Sequence, residues 1–124
     1  MIFGTHVLLY STNADADRAF FEDVLELSSV DAGRGWLIFG LPPAEIAVHP
    51  SDDGPVRHGE GAMLGAHVYF MCDDIEAAVR MLEGKGVPCT PRQRERWGIR
   101  TTLRLPSGGE LGLYQPTHPI AIAK

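Results

Sequence analysis

A short strand-like segment occurs twice in this chain. Thr5-His6-Val7-Leu8-Leu9-Tyr10 returns as Ala66-His67-Val68-Tyr69-Phe70-Met71, and an amphipathic helical pattern follows each copy. Repetition at this spacing constrains a fold more than any single motif, because each repeat is one supersecondary unit that must bury its apolar face against the other. A chain of 124 residues supplies one core, so the halves share it. The organisation expected is a first module over residues 1–50, a linker over 51–63, a second module over 64–116 and a loose tail over 117–124.

Each module reads as a strand, a helix and three strands. In the first, residues 2–10 form an aliphatic run, and Asn13 and Asp15 are candidate caps for a helix whose apolar positions are Ala19, Phe20, Val24 and Leu27. Short strands are expected at Ser28 to Asp31, Trp36 to Phe39 and Glu45 to His49, with Gly33-Arg34-Gly35 as a hairpin turn. In the second, the strand over Leu64 to Met71 leads to Asp73 and Asp74, with Glu76 completing a capping-box pattern from Asp73. Ile75, Ala78, Val79 and Leu82 then make a core-facing stripe, and Gly84 and Gly86 end it. Strands follow at Val87 to Arg92, Ile99 to Leu105 and Glu110 to Gln115, the last two joined by Pro106-Ser107-Gly108-Gly109. Arg92, Arg94 and Arg96 with Glu95 read as a charged loop, with Trp97-Gly98 as its anchor.

Charge and composition remove several partner classes. A net charge of −5 argues against a nucleic-acid surface. No apolar run is long enough to span a membrane, and the N-terminus carries no secretory pattern. Cys72 and Cys89 lack a CxxC partner, which suggests free thiols and a cytoplasmic location, with a single disulfide left open.

The period of two along strands then sorts side chains onto faces. Val7 and Leu9, like Val68 and Phe70, form apolar rows that belong under the helices, so His6, His67, Tyr69 and Met71 fall on the opposite, concave face. Glu45, Ala47 and His49 share a face in the first module, as do Glu110, Gly112 and Tyr114 in the second. Histidine and carboxylate groups on one concave surface are the donors of a first-row metal site. Arg100, Thr102 and Arg104 also share a face, suited either to an anionic group or to solvent.

Taken in order, several segments resemble the vicinal oxygen chelate superfamily, which includes glyoxalase I, extradiol dioxygenases and the bleomycin- and fosfomycin-resistance proteins. The resemblance is carried by Thr5-His6-Val7, by the helix Asp17-Arg18-Ala19-Phe20-Phe21-Glu22-Asp23-Val24-Leu25 and by His67 opening the second repeat. Asp73-Asp74-Ile75-Glu76-Ala77, Gly84-Lys85-Gly86-Val87 and Pro106-Ser107-Gly108-Gly109-Glu110-Leu111 complete it, across nearly the whole chain.

The resemblance implies an α+β fold in which two βαβββ modules form a curved, cavity-enclosing mixed sheet with helices outside. It implies a divalent metal, Fe, Mn, Zn or Ni, held by His6, His67 and Glu110, with Glu45 or His49 as alternatives. Metal-binding relatives carry a glutamate past the Pro-x-Gly turn, and that position is Gly112 here. Homodimerisation is implied as well.

Two function classes follow. One is a metal-dependent dioxygenase, lyase or isomerase acting on a substrate that chelates through neighbouring oxygens. Glu110 and Tyr114 would then be catalytic, and Tyr69, Met71, Arg104 and Trp97 would contact substrate. The other is a metal-free binding protein that sequesters an aromatic or cationic drug on its acidic and aromatic side chains. A degenerate member with a filled cavity and a structural role is a third.

Overall fold

A computed structural model of the chain describes residues 6–48, 50, 59, 61, 63 and 65–122. In chain order its elements are helix α1 (Ala14–Asp23), strands β1 (Ser29–Asp31), β2 (Leu37–Phe39) and β3 (Tyr69–Met71), helix α2 (Ile75–Gly84), and strands β4 (Gln93–Glu95), β5 (Gly98–Arg104) and β6 (Glu110–Pro116). The fold is α+β. Strands β3, β6, β5 and β4 form one sheet in that order, with β3 parallel to β6 and the other pairs antiparallel. The second module is thus a complete βαβββ unit, while the described part of the first contributes α1 and the β1–β2 hairpin.

Helix α2 forms where the apolar stripe predicts it. Ile75, Val79 and Leu82 are buried along one face, each worth about 1.5–3 kcal/mol against exposure. Its N-terminus differs in detail from the capping-box expectation on Asp73. The carboxylate of Asp74 accepts from the Ala77 amide at 3.1 Å, and Glu76 instead pairs with Arg92, Nε to Oε2 3.0 Å. Beyond the helix Gly86 takes φ +81°, a left-handed geometry that side chains with a Cβ resist.

Helix α1 is capped by Asn13, whose side chain accepts from the Ala16 amide. It serves the other half of the chain. Phe20 joins Ile75, Val79, Leu82, Val87, Leu103, Leu105, Leu111 and Leu113 in one core cluster. Asp17, 6% exposed, uses both carboxylate oxygens on the β5–β6 turn: Oδ1 accepts from the Ser107 amide at 3.0 Å and Oδ2 from its hydroxyl at 2.7 Å. The ammonium of Lys85 donates to the Val24 carbonyl at 2.9 Å.

Three strand expectations are corrected. Residues 6–10 and 45–48 lie outside any strand, because no backbone ladder meets them among the described residues; positions 1–5 and His49 lie outside the described set, as do residues 51–58 of the linker. The expected strand at Val87 to Arg92 reduces to a single bridge from Cys89 to Leu103, since Pro88 and Pro91 cannot donate to a ladder. The neighbouring charged loop is instead β4, which pairs with β5 through the two-residue turn Arg96-Trp97. Its charges are cross-strand partners: Arg100 donates from Nε to Glu95 at 3.1 Å and from Nη2 to the Gln93 side chain. Among the described residues no helix is long and apolar enough to cross a membrane.

Candidate functional site

The site is built on the sheet face turned away from the helices. Leu103, Leu111 and Leu113 point into the core, so strand alternation sends Thr102, Arg104, Glu110, Gly112 and Tyr114 to the other side. Register then sets the neighbours. Gly112 lies between Thr102 on β5 and Tyr69 on β3, and Tyr114 lies between Arg100 and Met71.

Gly112 has a specific reason to lack a side chain. A Cβ there would collide with Cγ, Cδ1 and Cε1 of the Tyr69 ring, which lies directly over it. From that seat Tyr69 meets Trp97 edge-on at 5.6 Å and 78°, and Tyr114 at 5.8 Å and 88°. Trp97, on the β4–β5 turn, meets Tyr114 at 5.0 Å and 79°. Each edge-on pair adds about 0.5–1.5 kcal/mol beyond area burial, so the three rings make a preformed aromatic wall.

Tyr114 is the buried member, 8% exposed. Burial pushes its phenol above the ordinary range, and the negative charge of Glu45 adds to the effect. The Tyr114 hydroxyl lies 2.9 Å from Nε2 of His118. Nδ1 of the same ring lies 2.7 Å from the Pro119 carbonyl, an oxygen that can only accept, so Nδ1 carries the proton. In the neutral imidazole Nε2 is then the acceptor and the phenol the donor. Glu45 completes the group, with Oε1 3.8 Å from Nε2 and Oε2 accepting from the Ala121 amide at 2.7 Å.

Residues 117–121, part of the segment that the sequence suggests is a loose tail, are therefore fastened. Thr117 adds two further ties: its amide donates to the Trp97 carbonyl at 2.9 Å and its hydroxyl to that of Arg96 at 3.0 Å. His118 and its role escape the sequence reading. The available signal is Pro116 and Pro119 bracketing it, since two fixed φ angles stiffen a short segment.

The anticipated site residues divide among three places. His67, Tyr69, Thr102, Glu110 and Gly112 line one open cleft of about 260 Å³. Met71, Tyr114 and Trp97 belong to the aromatic end of the same face. Arg104 lines a separate hollow with Phe20, Val24, Lys85 and Leu105.

Among the described residues the donor set does not converge on a metal centre. His6 is exposed, outside the strands and not among the residues lining the cleft of His67 and Glu110. No three His, Cys, Asp or Glu side chains among the described residues converge on one point. The position where relatives carry a carboxylate is Gly112, and the Tyr69 ring fills that space.

A family model described as the Glyoxalase/Bleomycin resistance protein/Dioxygenase superfamily matches residues 5–111. Solved structures share the fold at low identity. An antibiotic binding protein from Streptomyces sp. CB03234 is 20% identical over 94% of this chain and 100% of its own, with a TM-score of 0.59. Lactoylglutathione lyase from Agrobacterium tumefaciens is 23% identical over 91% and 92%, with a TM-score of 0.61. An integron cassette protein from the mobile metagenome of V. Cholerae is 19% identical over 93% and 97%, with a TM-score of 0.58. No curated protein sequence matches the chain.

Proposed function

Because this chain belongs to the Glyoxalase/Bleomycin resistance protein/Dioxygenase superfamily, whose described functions divide between catalysis and drug binding, we propose that it binds a small aromatic molecule without turnover. One observation carries this reading: Tyr69 lies over Gly112, where a metal ligand would be needed, and builds an aromatic wall with Trp97 and Tyr114. Aromatic walls with a few convergent polar groups are the usual lining of small-molecule sites. Glu110 and Glu45 supply acceptors near the two ends of that face. The fold is shared with an antibiotic binding protein, which is consistent with the same use.

A titration with acridine, followed by quenching of tryptophan emission, tests the proposal. Saturable binding that is lost in Tyr69→Ala supports it; no saturation overturns it. A metal-dependent reaction is the second reading, favoured by His67 and Glu110 on one cleft. Elemental analysis of the purified protein and of His67→Ala separates the two, since stoichiometric metal lost in the variant would favour the enzyme.

We further propose a homodimer in which the first module completes its sheet. Ile46 and Val48 are 93% and 92% exposed, and Val7, Leu8 and Leu9 are also exposed. Large apolar side chains left exposed in this way would gain by burial against a second copy, and sedimentation gives the stoichiometry. The two free thiols, Cys72 and Cys89, support a cytoplasmic location.

A further inference from the structure

The carboxylates of the four-stranded sheet, Glu95 on β4 and Glu110 on β6, are treated differently. Glu95 receives Arg100 from β5 at 3.1 Å. Glu110 lies directly opposite Arg104 in the antiparallel register, where unlike charges ordinarily pair. No such ion pair forms. Arg104 borders the hollow of Phe20 and Val24, and among the described residues the Glu110 carboxylate has neither a cation nor a hydrogen-bond donor.

The uncompensated charge belongs to the cleft. Glu110 lines it together with Thr102, His67 and Tyr69. The Thr102 amide donates to the Thr90 hydroxyl at 2.8 Å, while its own hydroxyl is unengaged among the described residues. Thr102 stands opposite Gly112, which makes it the diagonal neighbour of Glu110 on one sheet face. Gly112 is also the seat of the Tyr69 ring. Ring and carboxylate are therefore two residues apart along β6, about 7 Å.

Resting on the binding reading above, we propose that Glu110 is a specificity residue: the cleft takes molecules in which an aromatic ring and a protonated amine are joined by a short alkyl chain. The ligand's ring lies against the Tyr69 side chain. Its ammonium takes up the place that Arg104 leaves open and donates to the Glu110 carboxylate and the Thr102 hydroxyl. An ammonium suits this corner because it has three donors and no acceptor, and both groups it meets can accept. A carboxylate on the same chain would meet a like charge and be rejected.

The test compares two ligands of one shape, acridine carrying an aminopropyl side chain and acridine carrying a hydroxypropyl side chain. Each is titrated into the full chain by calorimetry at about pH 8, where an ordinary alkylamine is charged and an ordinary histidine is neutral. The amine is expected to bind about fivefold more tightly than the alcohol, the upper range for an ion pair open to solvent, and the ratio should shrink with added salt. In Glu110→Gln the ratio should fall to near one, and Glu110→Asp should keep part of it. Far-UV circular dichroism checks that each variant is folded. A ratio near one in the parent, or an undiminished ratio in Glu110→Gln, overturns the assignment of Glu110 and leaves the binding reading standing. Saturable binding of neither ligand by the parent removes both.

Discussion

Gly112→Ala adds one methyl group, yet its cost follows from the structure. The backbone there cannot yield, since the Gly112 amide donates to the Val68 carbonyl at 2.9 Å and the residue is paired with Thr102 on its other side. The Tyr69 ring must therefore leave. It is 37% exposed and has solvent to turn into, so the chain still folds. The loss is then the two edge-on contacts with Trp97 and Tyr114, about 0.5–1.5 kcal/mol each. Together they make a destabilisation on the order of 1–3 kcal/mol, or a melting temperature lower by roughly 3–10 °C for a domain of this size.

The reasoning is open to a sharper check than the single variant. In a Tyr69→Ala background nothing opposes the methyl, and alanine in a strand is better than glycine by about 0.5–1 kcal/mol. The same substitution should thus change sign between the two backgrounds. Urea titration of the four proteins of this cycle, followed by Trp97 emission with Trp36 replaced by phenylalanine, measures the coupling. Additivity within about 0.5 kcal/mol would refute the account, because it would mean that the methyl and the ring do not compete for space.

Three further outcomes are expected. Asp17→Ala leaves the Ser107 amide and hydroxyl without their acceptor and should cost about 2–4 kcal/mol in urea unfolding, given that hydrogen bonds to charged groups are worth about 1.5–3 kcal/mol. The Arg92 hydrogen bond holds the Glu76 carboxyl below its ordinary 4.5. This contribution to stability is complete above that value and is lost as pH falls through the lowered one. Melting curves of wild type and Glu76→Gln should accordingly differ at neutral pH and converge in acid, and the difference should shrink with salt. In a spectrophotometric titration Tyr114 should ionise above the ordinary tyrosine range, and Glu45→Gln should bring it part of the way back, because burial is the larger cause and remains.

The parts of the fold that follow from periodicity are visible in the sequence. The α2 stripe, the β5 and β6 alternation and the glycine turns all appear where pattern and turn chemistry put them, because each depends on residues close in the chain. For the same reason alternation places Tyr69 and Tyr114 on the face turned from the helices, where Trp97 meets both rings. What is not legible depends on pairing across distance. β4 is hidden because its charges look solvated until Arg100 is placed opposite Gln93 and beside Glu95. Gly112 reads as a missing ligand, and its actual reason, the ring above it, requires the parallel register of β3 on β6. His118 is invisible for a further reason: its partner Glu45 lies in the other half of the chain, and no local pattern connects them.

The placement of α1 sets an order of events during synthesis. Phe20 emerges early, yet the residues that shelter it, including Leu103, Leu105, Leu111 and Leu113, are the last part of the core to be made. Ser107, which occupies both oxygens of Asp17, arrives equally late. Phe21 can meet Phe39 within the first module, but the Phe20 face of the first helix is covered only when nearly the whole chain has been translated. A chain stalled at the linker consequently presents that face to chaperones or proteases, and the first repeat cannot mature ahead of the second.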